Sequence, residues 1–404
     1  MAALSPATAG NVRPIPGETD RVRVLDRSSR SGKGNPRVLS DRLIFVDNLR
    51  TVLTVTVLLH HLAVTYGWSQ GWYVHEPVGP GIREDVLSAF ILLTQAFFMG
   101  AFFLISAYFI PGSYERRGER SFVIERLRRL LIPLLVFRFV ISPLTSMVVL
   151  WVQYGQRPAL ADYPGLINAG PLWFVELLLV LSAGWVIWRR FRPEILPAIP
   201  WKSRPPSGRA LIGFIGVLGL VTWLWRFEWP IYSYLHKVDF PTPAFLPQYV
   251  LMFLVGVVAY RRDWLVTVPS RLGVRAATAA LAATVTLLPL SMAGDGDRWR
   301  GGVAWESLAF AIWESIFAVG VILGLFTWFR ARYDHQGATW QRWTGESYAV
   351  YVIHAPIIVG LTLVLMQTPL PPLGQLVVAT VVGVPGCYLT ARSLRRIPTV
   401  DRIL

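Results

Sequence analysis

Two adjacent histidines, His60 and His61, stand deep inside an apolar stretch that reads D-N-L-R-T-V-L-T-V-T-V-L-L-H-H-L-A-V-T-Y-G from Asp47 to Gly67. An imidazole titrates near neutrality and can take a proton from a hydroxyl, so a histidine here is a candidate general base. Arg50 precedes His61 by eleven positions. On a helix that is about three turns and a rise of about 16 Å, so the two side chains share a face, with His60 rotated by about 100°. Thr54 lies one turn from Arg50 on the same face. A polar stripe along an apolar helix points to a lined cavity or passage. A structural hydrogen bond between helices is the alternative role for each ring, and the doubled histidine leaves open which one acts.

Other residues could complete a site. The run E-R-R-G-E-R-S-F-V-I-E-R-L-R-R-L-L-I-P carries Arg126, Arg128 and Arg129. Arg126 and Arg129 are three apart, on one helical face, and such a cluster suits phosphate groups; simple anchoring at a membrane surface is the alternative. Glu176, in G-P-L-W-F-V-E-L, falls at a depth similar to His61, where its carboxylate could orient the imidazole. Glu306 and Glu314 lie close to one face of a later span and suit either a site or structural pairing. Gln95 suits lining or helix packing. His354, in E-S-Y-A-V-Y-V-I-H-A-P, follows Tyr348 and Tyr351 and is expected nearer Arg50 than His61. Pro356 can free a backbone carbonyl beside it. Metal binding is not supported, because H-x-x-x-H and H-E-x-x-H spacings are absent. There is also no Gly-rich phosphate loop, no G-x-S-x-G elbow and no nucleic-acid module.

The elements that must position these residues are membrane spans. The chain has 404 residues, 53% of them hydrophobic and only 16% charged, with 17 tryptophans and a mean hydropathy of +0.46. A soluble protein could not hide so much apolar surface, so the fold class is an all-α polytopic membrane bundle. Ten spans are expected at roughly 43–66, 87–110, 131–152, 171–188, 210–226, 246–260, 272–291, 303–328, 347–367 and 374–391. Placing the N-terminal tail, the loops after even-numbered spans and the C-terminus on one side gives that side 31 Lys and Arg, against five on the other. That bias puts both termini in the cytoplasm; the plasma membrane of a bacterium, its inner membrane, is the expected location. Three parts follow: a disordered basic cytoplasmic tail (1–40), a transmembrane domain (41–392) and a cytoplasmic C-terminal tail (393–404). The tail lacks a signal-peptide pattern. The lone Cys387 excludes an internal disulfide and a cysteine metal cluster.

With these pieces in order, the chain resembles the membrane-bound acyltransferase 3 family, which includes sugar O-acetyltransferases and a glucan-modifying branch. The matching stretches are D-N-L-R-T-V-L-T-V-T-V-L-L-H-H, F-F-M-G-A-F-F-L-I-S-A-Y-F, R-L-R-R with the following I-P, G-P-L-W-F-V and S-Y-A-V-Y-V-I-H-A-P, over residues 42–392. The opening and closing motifs look most like the glucan-modifying branch. The resemblance implies ten core helices, His61 as the essential base, Arg50 in acyl-CoA binding, and Arg126 and Arg129 supporting donor binding or the local fold. Ala107 stands where many relatives have glycine. Some members add an extracytoplasmic hydrolase-like domain; none follows residue 392, so the core is expected to handle the acceptor itself.

The expected activity is transfer of an acetyl or succinyl group from acyl-CoA to a hydroxyl of a glycan or similar acceptor, with His61, Glu176 and His60 as catalytic candidates. Arg50, Arg126, Arg129, Tyr348 and His354 are the candidates for donor binding. No permanently bound cofactor and no metal is expected. Acyl-CoA, the acceptor, membrane lipids and a second copy in a homodimer are the partners considered, without nucleic acid. A proton-coupled transporter or export permease for an acidic or acylated metabolite is the rival reading.

Overall fold

The computed structural model describes residues 43–67, 72–76, 81–191, 205–294 and 296–404. The basic segment 1–40 lies outside these residues. Residues 43–404 form one compact unit. Among the described residues, ten segments are long and apolar enough to cross a membrane. The helices are α1 (Ile44–Tyr66), α2 (Ile82–Gln95), α3 (Phe98–Arg117), α4 (Glu119–Tyr154), α5 (Trp173–Phe191), α6 (Gly208–Trp225), α7 (Leu246–Arg261), α8 (Ser270–Met292), α9 (Trp305–Arg332), α10 (Ala338–Leu365) and α11 (Pro372–Leu394). Helices α2 and α3 together make the second span.

Burial separates central helices from peripheral ones. The apolar windows of α1 and α10 are each 67% buried, whereas those of α6 and α8 are 17% buried. The first two are therefore the axis of the bundle, and the last two present mostly outward faces. Small residues let the peripheral helices come close. A Cβ on Gly320 of α9 would sit 2.4 Å from the carbonyl oxygen of Ala276 in α8, so only glycine permits that approach. Gly256 of α7 plays the same part against α3: an added Cβ would meet the Leu104 oxygen at 2.3 Å and the Cβ of Ala107 at 2.8 Å. The methyl of Ala107 is accommodated because its neighbour across the interface has none.

Helices α1 and α10 run parallel, and their starts are stapled together. Asn48, buried in the first turns of α1, donates to the carbonyls of Tyr333 (2.6 Å) and His335 (3.2 Å). Its own oxygen accepts from Gln336 Nε2 at 2.8 Å and Trp340 Nε1 at 2.7 Å. One turn on, the hydroxyls of Thr51 and Ser347 are 2.9 Å apart. This register decides which side chains meet deeper in the bundle.

Two spans depart from the regular helix expected of them. The second span breaks between Gln95 and Phe98, where Phe97 leaves helical geometry at φ −136°, ψ −32°. The amide of Gln248 in α7 donates to the freed carbonyl of Ala96 at 2.7 Å, and the Gln95 amide donates to the Tyr249 hydroxyl at 3.1 Å. A break at this depth survives because protein groups replace the lost backbone bonds. In α4 two turns widen: the Ile132 N–H donates to the Leu127 carbonyl and the Ser142 N–H to the Phe137 carbonyl, each five residues back. Prolines explain the placement. Pro133 and Pro143 have no N–H for the carbonyls of Arg129 and Phe139 four residues earlier. The hydroxyls of Tyr348 and Tyr163 donate to those two oxygens instead.

Candidate active site

The site is assembled from α1, α10, the end of α2 and the short segment 72–76. His61 lies 17 residues into α1, and His354 lies 16 residues into α10. Because the two helices start together and run parallel, equal counts give equal depth, about 25 Å along each axis. Their imidazole rings are 5.2 Å apart at the centroids and inclined by 19°. The indole of Trp72 lies over His61 at 3.9 Å and 11°, and is 6.2 Å from His354. These three separations close a triangle with nearly a right angle at His61. Trp72 therefore covers the face of the His61 ring, while His354 stands beside its edge. His61 itself is half-buried and faces protein on both counts.

The other rings are fixed by their hydrogen bonds. His354 Nδ1 is 2.7 Å from the Tyr351 carbonyl oxygen, which can only accept, so Nδ1 carries the proton and Nε2 presents a lone pair. The Tyr351 hydroxyl in turn donates to the Pro171 carbonyl, tying α10 to the start of α5. His60 points away from this pair. Its Nδ1 is 2.8 Å from Thr94 Oγ1, whose own hydrogen goes to the Phe90 carbonyl at 2.7 Å; Thr94 therefore accepts, and His60 Nδ1 donates. The His60 and His61 rings are nearly perpendicular, at 83°. The two neighbours serve different interfaces, as their 100° rotation on a helix requires.

Trp72 is held through its neighbour. The Tyr73 hydroxyl lies 2.6 Å from Ser142 Oγ, which donates to Asn168 Oδ1 at 2.7 Å. Gly170, at φ +48°, backs that hydroxyl, and a Cβ there would sit 2.4 Å from it. Both the left-handed backbone and the close approach demand glycine.

Two expected placements are corrected. His354 is beside His61, not nearer Arg50. Its helix begins at Ala338, nine residues before the expected 347, and so carries it deeper. Glu176 takes Arg138 as its partner rather than His61: Arg138 Nη1 reaches both carboxylate oxygens, at 3.0 and 3.3 Å. Arg138 sits in the second widened turn of α4, which aims it at α5.

The basic residues expected at the opposite end hold separate positions. Arg50 is 3.7 Å from Asp47. The Arg126 guanidinium lies 5.3 Å from the centroid of the Phe122 ring, and Arg129, 59% exposed, is 3.4 Å from Glu125. Tyr348 bonds the Arg129 carbonyl and lies within electrostatic reach of both guanidinium groups. Gln95 contacts Tyr249. Glu314 is paired at 2.7 Å with Arg226, both sealed from solvent, and Glu306 lies 3.5 Å from Arg298. Among the described residues, no group of three His, Cys, Asp or Glu could hold a metal ion. An apolar crevice of about 170 Å³ between α6, α7 and α9, walled by residues such as Phe214, Met252 and Phe326, shares no residue with the imidazole cluster.

Sequence reasoning passed over Trp72, Thr94 and the partner of Glu314. The aromatic pair directly after a histidine-bearing span was the available signal for Trp72. Thr94 and Arg226 carried none, since each acts through a contact with a helix distant in sequence.

The fold is a multi-pass helix bundle whose central helices bring two imidazoles and an indole together, and this cluster is the candidate site. The acyltransferase domain family matches residues 43–392, and the chain belongs to this family, acyltransferase 3. It is similar to the "Glucans biosynthesis protein C" of Escherichia coli O139:H28 (strain E24377A / ETEC) and of strain SMS-3-5, at 24% identity over 347 residues, covering 80% of this chain and 83% of each relative. The protein of the same description from E. coli O81 (strain ED1a) is 24% identical over 341 residues. No solved structure matches the chain. The protein is thus a multi-pass membrane acyltransferase.

Proposed function

We propose that this acyltransferase moves an acetyl or succinyl group from acyl-CoA to a hydroxyl of a glycan or similar acceptor, with His61 as the general base. The observation that carries the reading is the His61 ring itself: half-buried, covered by Trp72 and flanked by His354, on the helix whose start bears Arg50. The donor enters from the side of Arg50, Arg126 and Arg129, which hold its phosphates, and its thioester reaches toward His61 about 16 Å deeper along α1. The excess of basic residues supports a cytoplasmic assignment for that side, in a membrane we take to be the bacterial inner membrane. The similarity to proteins described as acting in glucan biosynthesis supports a glycan acceptor. His61 removes the hydroxyl proton, and the oxygen attacks the thioester carbonyl. His60, committed to Thr94, positions α1 against α2 and is not the reacting ring. The bound donor is a substrate, and no resident cofactor takes part.

The test is thiol release by purified protein from acetyl-CoA and succinyl-CoA, with and without glucose oligosaccharides. His61→Ala is expected to lower the rate by about 10²- to 10⁴-fold, the usual worth of a positioned base. His60→Ala is expected to retain most of it. Undiminished release by His61→Ala overturns the assignment of the base, and substrate flux into vesicles without thiol release would replace transfer by transport.

A further inference from the structure

His61 has no carboxylate partner within ion-pair distance among the described residues, and Glu176 is engaged by Arg138. A base that becomes cationic needs an acceptor for its second ring nitrogen. One buried atom in the cluster is available. His354 Nε2 has no hydrogen-bond partner, and the residue is fully buried. Its lone pair is set by the Tyr351 carbonyl, which fixes the proton on Nδ1. Leaving such an acceptor unmet costs about 1–3 kcal/mol, so its retention beside a reactive ring calls for a donor.

The geometry supplies one. His354 stands at the edge of His61, in nearly the same plane, with centroids 5.2 Å apart. A nitrogen-to-nitrogen hydrogen bond of about 2.9 Å puts the centroids of two coplanar imidazoles about 5 Å apart. Trp72 holds the His61 ring in that plane from above. The two rings are not hydrogen-bonded in this structure; at a centroid separation of 5.2 Å, reorientation of the imidazoles is what would bring a ring N–H of His61 to the His354 lone pair.

We propose that His354 is the positioning residue of His61, accepting a hydrogen bond through Nε2 and passing the other end of the bond network to the Tyr351 carbonyl. The inference rests on the acyl-transfer reading of His61. In the reaction, the acceptor oxygen forms a bond to the thioester carbonyl carbon while His61 takes its proton. The carbonyl electron pair moves onto oxygen, and the second N–H of the cationic His61 donates to His354. The electrons return, the carbon–sulfur bond breaks, and the thiolate recovers the proton from His61. An ester and a free thiol leave, and both histidines end as they began.

The experiment compares His354→Phe, which keeps a ring without an acceptor, with His354→Gln, which keeps an acceptor. Thiol release from acetyl-CoA and succinyl-CoA with glucose oligosaccharides is followed beside His61→Ala. Carbethoxylation of His61 by diethyl pyrocarbonate, read by peptide mass spectrometry, reports the nucleophilicity of its free nitrogen without any substrate. His354→Phe is expected to lower kcat by about 100-fold with little change in donor KM, and to slow carbethoxylation several-fold; His354→Gln is expected to recover at least about tenfold of the kcat. Equal losses in the Phe and Gln variants, or unchanged His61 carbethoxylation in the Phe variant, overturn the proposal. If His61→Ala itself turns over normally, the underlying reading fails instead.

Discussion

The bundle buries two clusters of ionisable side chains, and they are built in opposite ways. Arg226 and Glu314 meet at 2.7 Å, each essentially sealed from solvent, with the guanidinium 5.1 and 5.6 Å from the Phe245 and Phe310 ring centroids. Their charges cancel, and the pair ties α6 to α9. The imidazole cluster holds neutral-capable groups with no countercharge within ion-pair distance among the described residues. One of its rings is only half-buried, and one of its acceptor atoms is unmet. A closed ion pair resists change because removing either partner strands a charge in a low dielectric. An imidazole can take up and return a proton near neutrality, which suits it to acid–base chemistry. The difference teaches that neither burial nor an unmet polar atom by itself marks a candidate site, since Arg226 Nε and Nη1 and Glu314 Oε1 are unmet inside the ion pair as well; what separates the two regions is charge compensated within one and imidazoles without a countercharge in the other.

Mutations can break this contrast. The largest expected effect is at the ion pair: Arg226→Ala strands Glu314 and should destabilise the protein by about 3–5 kcal/mol, whereas a double Arg226→Met, Glu314→Leu variant should come close to wild type. Thermal unfolding in detergent measures both, and turnover per folded molecule should change little in the double variant. A large loss of turnover there would mean that the pair belongs to the chemistry after all.

A smaller effect separates the adjacent histidines. Thr94→Val removes the acceptor of His60 Nδ1 and should cost about 1–2 kcal/mol of stability, with thiol release nearly unchanged. A collapse of rate without loss of stability would shift the reacting role toward His60. The smallest effect belongs to the exposed basic end. Arg129→Gln should raise the donor KM by about three- to tenfold at low salt, with kcat intact and the difference fading as ionic strength rises. A kcat loss that salt does not touch would place Arg129 in a structural rather than a phosphate-binding role.

Much of this was legible in one dimension. The ten spans follow from hydropathy, and the structure reproduces them with boundaries moved by a few residues, except where α2–α3, α4 and α10 extend well beyond the expected limits. The histidine pair, with its divergent directions, follows from helical rotation alone. The break at Gln95 was not legible, because no proline or adjacent glycine pair announces it; the amide of Gln248, from another span, stabilises it. The meeting of His354 with His61 was hidden for the same reason. An error of nine residues in the start of α10 moved the ring by about 14 Å along its axis.

The sequence by itself determined that ten segments of the described residues are long and apolar enough to cross a membrane and that His61 shares a helical face with Arg50, because hydrophobic length and helical period are properties of a single segment. Only the tertiary structure decided that Glu176 belongs to Arg138, that Glu314 belongs to Arg226 and that His354 belongs to His61. Those pairings depend on register between helices far apart in sequence. That register is set by contacts such as Asn48 with Trp340, which no periodicity within either segment encodes.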